Sequence, residues 1–247
     1  MRDLIAAEWL KLRALPSTRW TLALTALVLV AAAAFAAHTK SPTDEYGLSD
    51  GFPLAGYLAL IIVATSFGAT TMITEHSSGL IRATAVAVPA RAELVLAKAA
   101  VLAALWTVAG AIMAFAGFTV SGLILGDVSF ALPGTVPALL AATLIAPVCA
   151  LVGLGLAVLL RHGGTVYVCG ILLLVLAPQL AGTHQEATRA VNHAMLVPAW
   201  QRLTQSYGPP SAVGDIYATA TQAWLAYALW PLLLLLAAVL VFRRRDV

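Results

Sequence analysis

Six long apolar runs, separated by short stretches that hold nearly all of the charge, leave this chain few ways to fold. The runs cover about 20–37, 54–74, 97–121, 138–160, 165–181 and 222–242. A hydrocarbon core of roughly 30 Å takes about 20 apolar residues per helix, and within it every backbone polar group must be bonded inside the segment. The expected fold is therefore an all-α polytopic membrane protein with six transmembrane helices. Composition agrees: of the 247 residues, 10% are charged and 61% hydrophobic, against about 25% charged in soluble domains. The connections are too short for a second domain, so 1–247 reads as one transmembrane unit.

The charges set an orientation. Of the 14 Lys and Arg, only Lys40, Arg189 and Arg202 fall on one side of the six-pass path. The rest fall on the side that also holds both termini and the 75–96 connection. By the bias of cytoplasmic loops toward Lys and Arg, that side is expected to be cytoplasmic. An even number of spans is needed to return both termini to one side, and six are found. The net charge of +3 follows from the same bias, and no basic patch with interleaved aromatics points to nucleic acid.

What the spans lack narrows function further. No Asp, Glu, Lys, Arg or His lies in the central part of any run, where secondary transporters and proton pumps commonly keep ionisable groups. His38, His76, His162, His184 and His193 sit in connections or at span ends, so no axial haem ligand or catalytic base lies at mid-membrane depth. Cys149 and Cys169 have no C-x-x-C partner and indicate neither a disulfide framework nor a metal site. No G-x-x-x-x-G-K-[ST] phosphate loop is present. The expectation is a non-enzymatic chain with no cofactor of its own, whose energy for any vectorial work comes from elsewhere.

Before the first run, Leu4, Ile5, Trp9, Leu12 and Leu15 share one broad arc when wound at about 100° per residue. Asp3 and Glu8 come early and Lys11 and Arg13 late, in keeping with the helix dipole. Residues 1–19 read as a helix in the interface plane, with Glu8, Trp9, Lys11 and Arg13 as its polar and anchoring groups and membrane lipid as its partner. Glu8 falls inside the apolar arc. It is expected to reach water, to pair with Lys11, or to accept a bond from a cation of the 75–96 connection such as Arg82. Ala34-Phe35-Ala36 looks like a small-residue cleavage site, but the long amphipathic segment before the run argues against a signal peptide.

Ser66, Thr70 and Thr74 recur every fourth residue and so share a face of the second span, as a packing face or as the wall of a substrate path. Gly110 and Gly117 permit close helix contacts in the third span, Pro147 is expected to kink the fourth, and Pro231 to interrupt the sixth. In the outer connection 182–221, Ala187, Ala190, Val191, Ala194 and Met195 follow the spacing of an amphipathic helix, with Pro198 expected to stop it.

The connection 75–96 is the one polar break in the oily middle. Gly79 is placed where a C-cap glycine belongs, 80–88 can form a short surface helix, Pro89 turns the chain back, and Lys98 is expected to snorkel toward water. An ordinary polar loop would account for this much.

The ordered set Glu75, Ser78-Gly79, Arg82, Pro89, Arg91 and Lys98, together with Glu8-Trp9-Leu10-Lys11-Leu12-Arg13, six spans and the terminal Arg-Arg-Arg-Asp, resembles the ABC-2 type permeases. These are membrane subunits of ATP-binding-cassette exporters. The resemblance implies that 75–96 is a cytoplasmic coupling elbow docking on a separate ATPase that binds the ATP. It also implies that a second permease copy or paralogue completes a dimer in a bacterial cytoplasmic membrane. The oily spans suggest a lipophilic or amphiphilic cargo moving outward. The alternative function is a membrane immunity or sensor protein that binds a peptide or partner without transport.

Overall fold

A computed structural model describes residues 1–40, 47–78, 91–126, 133–181, 186–207 and 217–244. Among these the chain is helical, without strands. In chain order the helices are α1 (Arg2–Ala14), α2 (Pro16–Thr39), α3 (Leu54–Ser77), α4 (Arg91–Leu125), α5 (Thr135–Leu160), α6 (Gly163–Leu180), α7 (Glu186–His193), α8 (Leu196–Leu203) and α9 (Ala220–Arg244). Six of them, α2 to α6 and α9, are long and apolar enough to cross a membrane.

The most enclosed of the six is α5, which packs against α3, α4 and α9. Its sequence makes that position possible. A Cβ on Gly153 would lie 1.9 Å from the carbonyl oxygen of Thr65, and one on Gly68 would lie 1.9 Å from that of Ala150. The backbones of α3 and α5 are thus in direct contact at two reciprocal points. In lipid, where apolar packing against a neighbour displaces equally apolar tails, such close approach is what favours one helix pairing over another.

Pro147 lies within α5, and the helix runs through it. A proline removes one N–H, which here leaves the Thr143 carbonyl without its helical donor. Gly110 of α4 meets that same carbonyl: a Cβ there would come within 2.5 Å of it. Only a glycine there lets the α4 backbone pack directly against the freed oxygen. Gly117 similarly lies against Leu29 of α2. The expected interruption at Pro231 is not found, because α9 continues through it from Ala220 to Arg244.

In α6 the proline is accommodated differently. A π turn, Leu172–Leu176, precedes Pro178, and the wider turn moves the Leu174 carbonyl away from the ring that would collide with it. The end of α6 is closed from outside. Asn192 of α7, buried, donates from Nδ2 to the carbonyls of Ala181 (2.9 Å) and Pro178 (3.3 Å).

To make that bond Asn192 points inward, while Ala190, Val191 and Ala194, which carry the amphipathic spacing, are exposed. Carbonyls left without a donor at a helix end carry a desolvation cost, which these two bonds remove. Pro198 does not stop α7. It sits in the first turn of α8, where its missing N–H is not needed.

At the end of the bundle away from α1, an aromatic cluster fixes α8 and the Leu48–Gly51 turn. Tyr57 lies against Trp200 with ring centroids 4.7 Å apart, and Phe52 stacks on Phe118 at 5.5 Å. Lys40 pairs with Asp50 there.

Candidate functional site

The opposite end is where the polar residues of the spans gather. Three pieces of chain meet there: α1, the last turn of α3 and the first turns of α4. Glu8 is the only residue of α1 that is buried, and its neighbours on that face, Leu4, Lys11 and Leu12, are half-buried. Ile5 and Trp9, at the edge of the same arc, remain exposed. Glu75 is buried in the last turn of α3, and Lys98, 3% exposed, in the second turn of α4.

These residues form one closed ionic cluster. Lys98 Nζ donates to Glu8 Oε2 and to Glu75 Oε1, both at 2.7 Å. Lys11 Nζ donates to Glu8 Oε1 at 2.7 Å and to Glu75 Oε1 at 3.0 Å. Two carboxylates and two ammonium groups cancel, so the cluster is neutral as a unit. Buried ions persist only in this way, because an isolated charge would shift its protonation or pull the site open.

Burial pushes the Glu8 carboxyl up, but Lys98 and Lys11 outweigh it and hold it below the usual carboxylate range. Burial also pulls the Lys11 ammonium down, and its bonds to Glu8 and Glu75 more than reverse that, leaving it above the usual lysine range. Each partner stabilises the charged form of the other. Glu75 keeps one further acceptor, Oε2, buried and without a partner among the described residues.

The cluster joins residues that the sequence assigned to separate units. Glu8 was expected to reach water, to pair with Lys11, or to accept a bond from a cation of the 75–96 connection such as Arg82; it accepts from Lys11 and also from Lys98. Lys98 does not snorkel outward but turns into the protein. Its position carried a legible signal. A lone lysine in the run Leu94-Val95-Leu96-Ala97-Lys98-Ala99-Ala100 requires a carboxylate if it is buried at all. Which carboxylate could not be read locally, since Glu8 lies 90 residues away.

Ser78 follows α3 and donates to the Thr74 carbonyl at 2.7 Å. Arg91 opens α4. Its side chain, and Gly79, Arg82 and Pro89 entirely, lie outside the described residues, as does the expected surface helix 80–88. Arg13 and Trp9 are exposed on α1 and take no part in the cluster.

The hydroxyl face of α3 bonds mainly to its own helix. Thr70 Oγ1 donates to the Ser66 carbonyl at 2.7 Å and Thr74 Oγ1 to that of Thr70 at 2.9 Å. Thr70 also meets the Tyr167 hydroxyl of α6 at 2.9 Å, so this face joins α3 to α6. Among the described residues no group of His, Cys, Asp and Glu is arranged to hold a metal.

No curated protein gives a significant match to the chain. Residues 4–177 match the family described as ABC-2 family transporter protein, a stretch that begins in α1, ends in α6 and includes all four cluster residues. With six membrane-crossing helices and this match over most of its length, the protein is a multi-pass membrane permease component, and the chain belongs to the ABC-2 family of transporter proteins.

Proposed function

We propose that this chain is the non-catalytic permease subunit of an exporter in a bacterial cytoplasmic membrane, driven by a separate ATPase that docks on the elbow 75–96. One observation carries the reading. The neutral cluster of Glu8, Lys11, Glu75 and Lys98 clamps α1 to the residues on both sides of that elbow. A push on 79–90 then reaches α1, α3 and α4 together instead of bending a loose connection. In this reading Glu75 and Lys98 are the anchors of the elbow, Ser78 closes the end of α3, and Arg82 meets the ATPase. Gly79, Pro89 and Arg91 shape the elbow between its anchors.

The cargo is lipophilic or amphiphilic, moves outward, and passes at or near the interface with a second permease copy or paralogue. The exposed leucines of α9 and the exposed apolar face of α2 support contact with lipid or with such a partner. Both termini and the cluster are then cytoplasmic, as the distribution of Lys and Arg favours.

The test is co-purification of the tagged permease with its candidate ATPase. Arg82→Glu is expected to lose most of the bound ATPase while expression and the thermal midpoint in detergent stay unchanged. Lys98→Met is expected to retain the ATPase but lose stimulation of ATP hydrolysis by cargo. Full ATPase retention in Arg82→Glu would remove Arg82 from the docking surface. Labelling of residues 79–90 from outside intact cells would overturn the orientation.

A further inference from the structure

The corner between α1 and α2 has a chemistry of its own. At Leu15 the backbone is extended (φ −83°, ψ 116°) and Pro16 begins the next helix, so one residue makes the corner. Its inner side is a recess of about 460 Å³ lined by Arg13, Ala14, Pro16, Arg19, Trp20 and Ala23. The two alanines leave the room, and the two arginines supply the charge. No acidic residue lines the recess, and neither arginine has a carboxylate partner among the described residues. Pro16 places the N-terminal, partially positive end of the α2 dipole in the same wall.

Below the recess the surface turns apolar. Trp20, Leu24, Leu27 and Val28 are all exposed along one side of α2. From Trp20 to Val28 the helix rises about 12 Å, most of one leaflet of a roughly 30 Å core. A cationic recess directly above an apolar stripe of that length is complementary to a molecule with an anionic head and a long tail. An indole at the boundary suits the headgroup region.

We propose that this corner binds an anionic phospholipid, its phosphodiester held between Arg13 and Arg19 and an acyl chain lying along Trp20, Leu24, Leu27 and Val28. The bound lipid fixes the angle between α1 and α2, and with it the presentation of Glu8 and Lys11 to the cluster. The inference needs α2 to be a membrane span but not the ATPase-coupling reading, so the two can fail separately.

The test is native mass spectrometry of the full chain released from detergent with either phosphatidylglycerol or phosphatidylcholine. A basic side chain near an anionic lipid surface is worth about a fivefold gain, so the two arginines predict a preference for phosphatidylglycerol of about thirtyfold. R13Q/R19Q should reduce it to within about twofold, R13K/R19K should keep most of it, and R2Q, on the same helix away from the recess, should keep all of it. If the double glutamine variant does not fold, R13Q and R19Q singly carry the test, each with about a fivefold loss. An unchanged preference in those variants, or equal retention of the two lipids by the unaltered protein, overturns the proposal. So does displacement of phosphatidylglycerol by equimolar glycerol phosphate, which would make the recess a site for a free anion.

Discussion

Lys98→Met removes a charge while keeping the length and the apolar stem of the side chain. Lys98 is 3% exposed and is bonded to both carboxylates of the cluster at 2.7 Å. Without it, Glu8 and Glu75 share Lys11 alone, and the neutral cluster becomes a buried group of charge −1. Breaking a buried pair from one side costs about 3–5 kcal/mol, since the partner left behind stays desolvated. Lys11 still reaches both carboxylates, and α1 can lift to admit water, so the expected loss is at the lower end, about 3 kcal/mol.

The companion variant Lys11→Met touches the same two carboxylates through a side chain that is 41% exposed, where water screens the charge, and should cost only about 1 kcal/mol. Adding Glu8→Gln to Lys98→Met removes the uncompensated charge and should return about 1–2 kcal/mol. The measurement is reversible unfolding in mixed micelles of increasing dodecyl sulfate content, followed by tryptophan fluorescence, with hydrogen exchange of α1 as a local readout. Equal losses in the two lysine variants, or strict additivity of Lys98→Met with Glu8→Gln, would refute the claim that the cluster is a buried, mutually dependent unit.

Docking of α1 should also be bounded in pH on both sides. The lowered Glu8 pKa contributes stability that is present above the ordinary carboxyl value and is lost as pH falls through the lowered one. The raised Lys11 pKa contributes stability that is present below the ordinary lysine value and is lost as pH rises through the raised one. Limited proteolysis within α1 should therefore be flat from about pH 5 to pH 10 and rise on either side. Gly153→Ala drives a Cβ into the Thr65 carbonyl and should cost about 1–3 kcal/mol in the same unfolding assay. Asn192→Leu strips the donors from the carbonyls of Pro178 and Ala181. It should cost about 1–3 kcal/mol, with faster exchange confined to the end of α6 and to α7.

The helical class and the number of helices long and apolar enough to cross a membrane followed from the sequence alone. Each depends on a local requirement: some twenty consecutive residues must be apolar and must bond their own backbone. Pro147 and Pro231 were legible as residues but not in effect. A proline's consequence depends on what meets the freed carbonyl, and at Thr143 that is Gly110 of another helix. The inward turn of Asn192 was hidden for the same reason, since the carbonyls that need it belong to α6. Glu8 stood out as a charge inside an apolar arc and Lys98 was expected to snorkel outward, yet their partnership spans 90 residues. It exists because the α3–α5 contact and the packing of α4 bring three helix ends together. Hydropathy is a property of a segment and can be read from it. Ion pairing between distant segments is a property of their relative positions, and only the tertiary structure decides those.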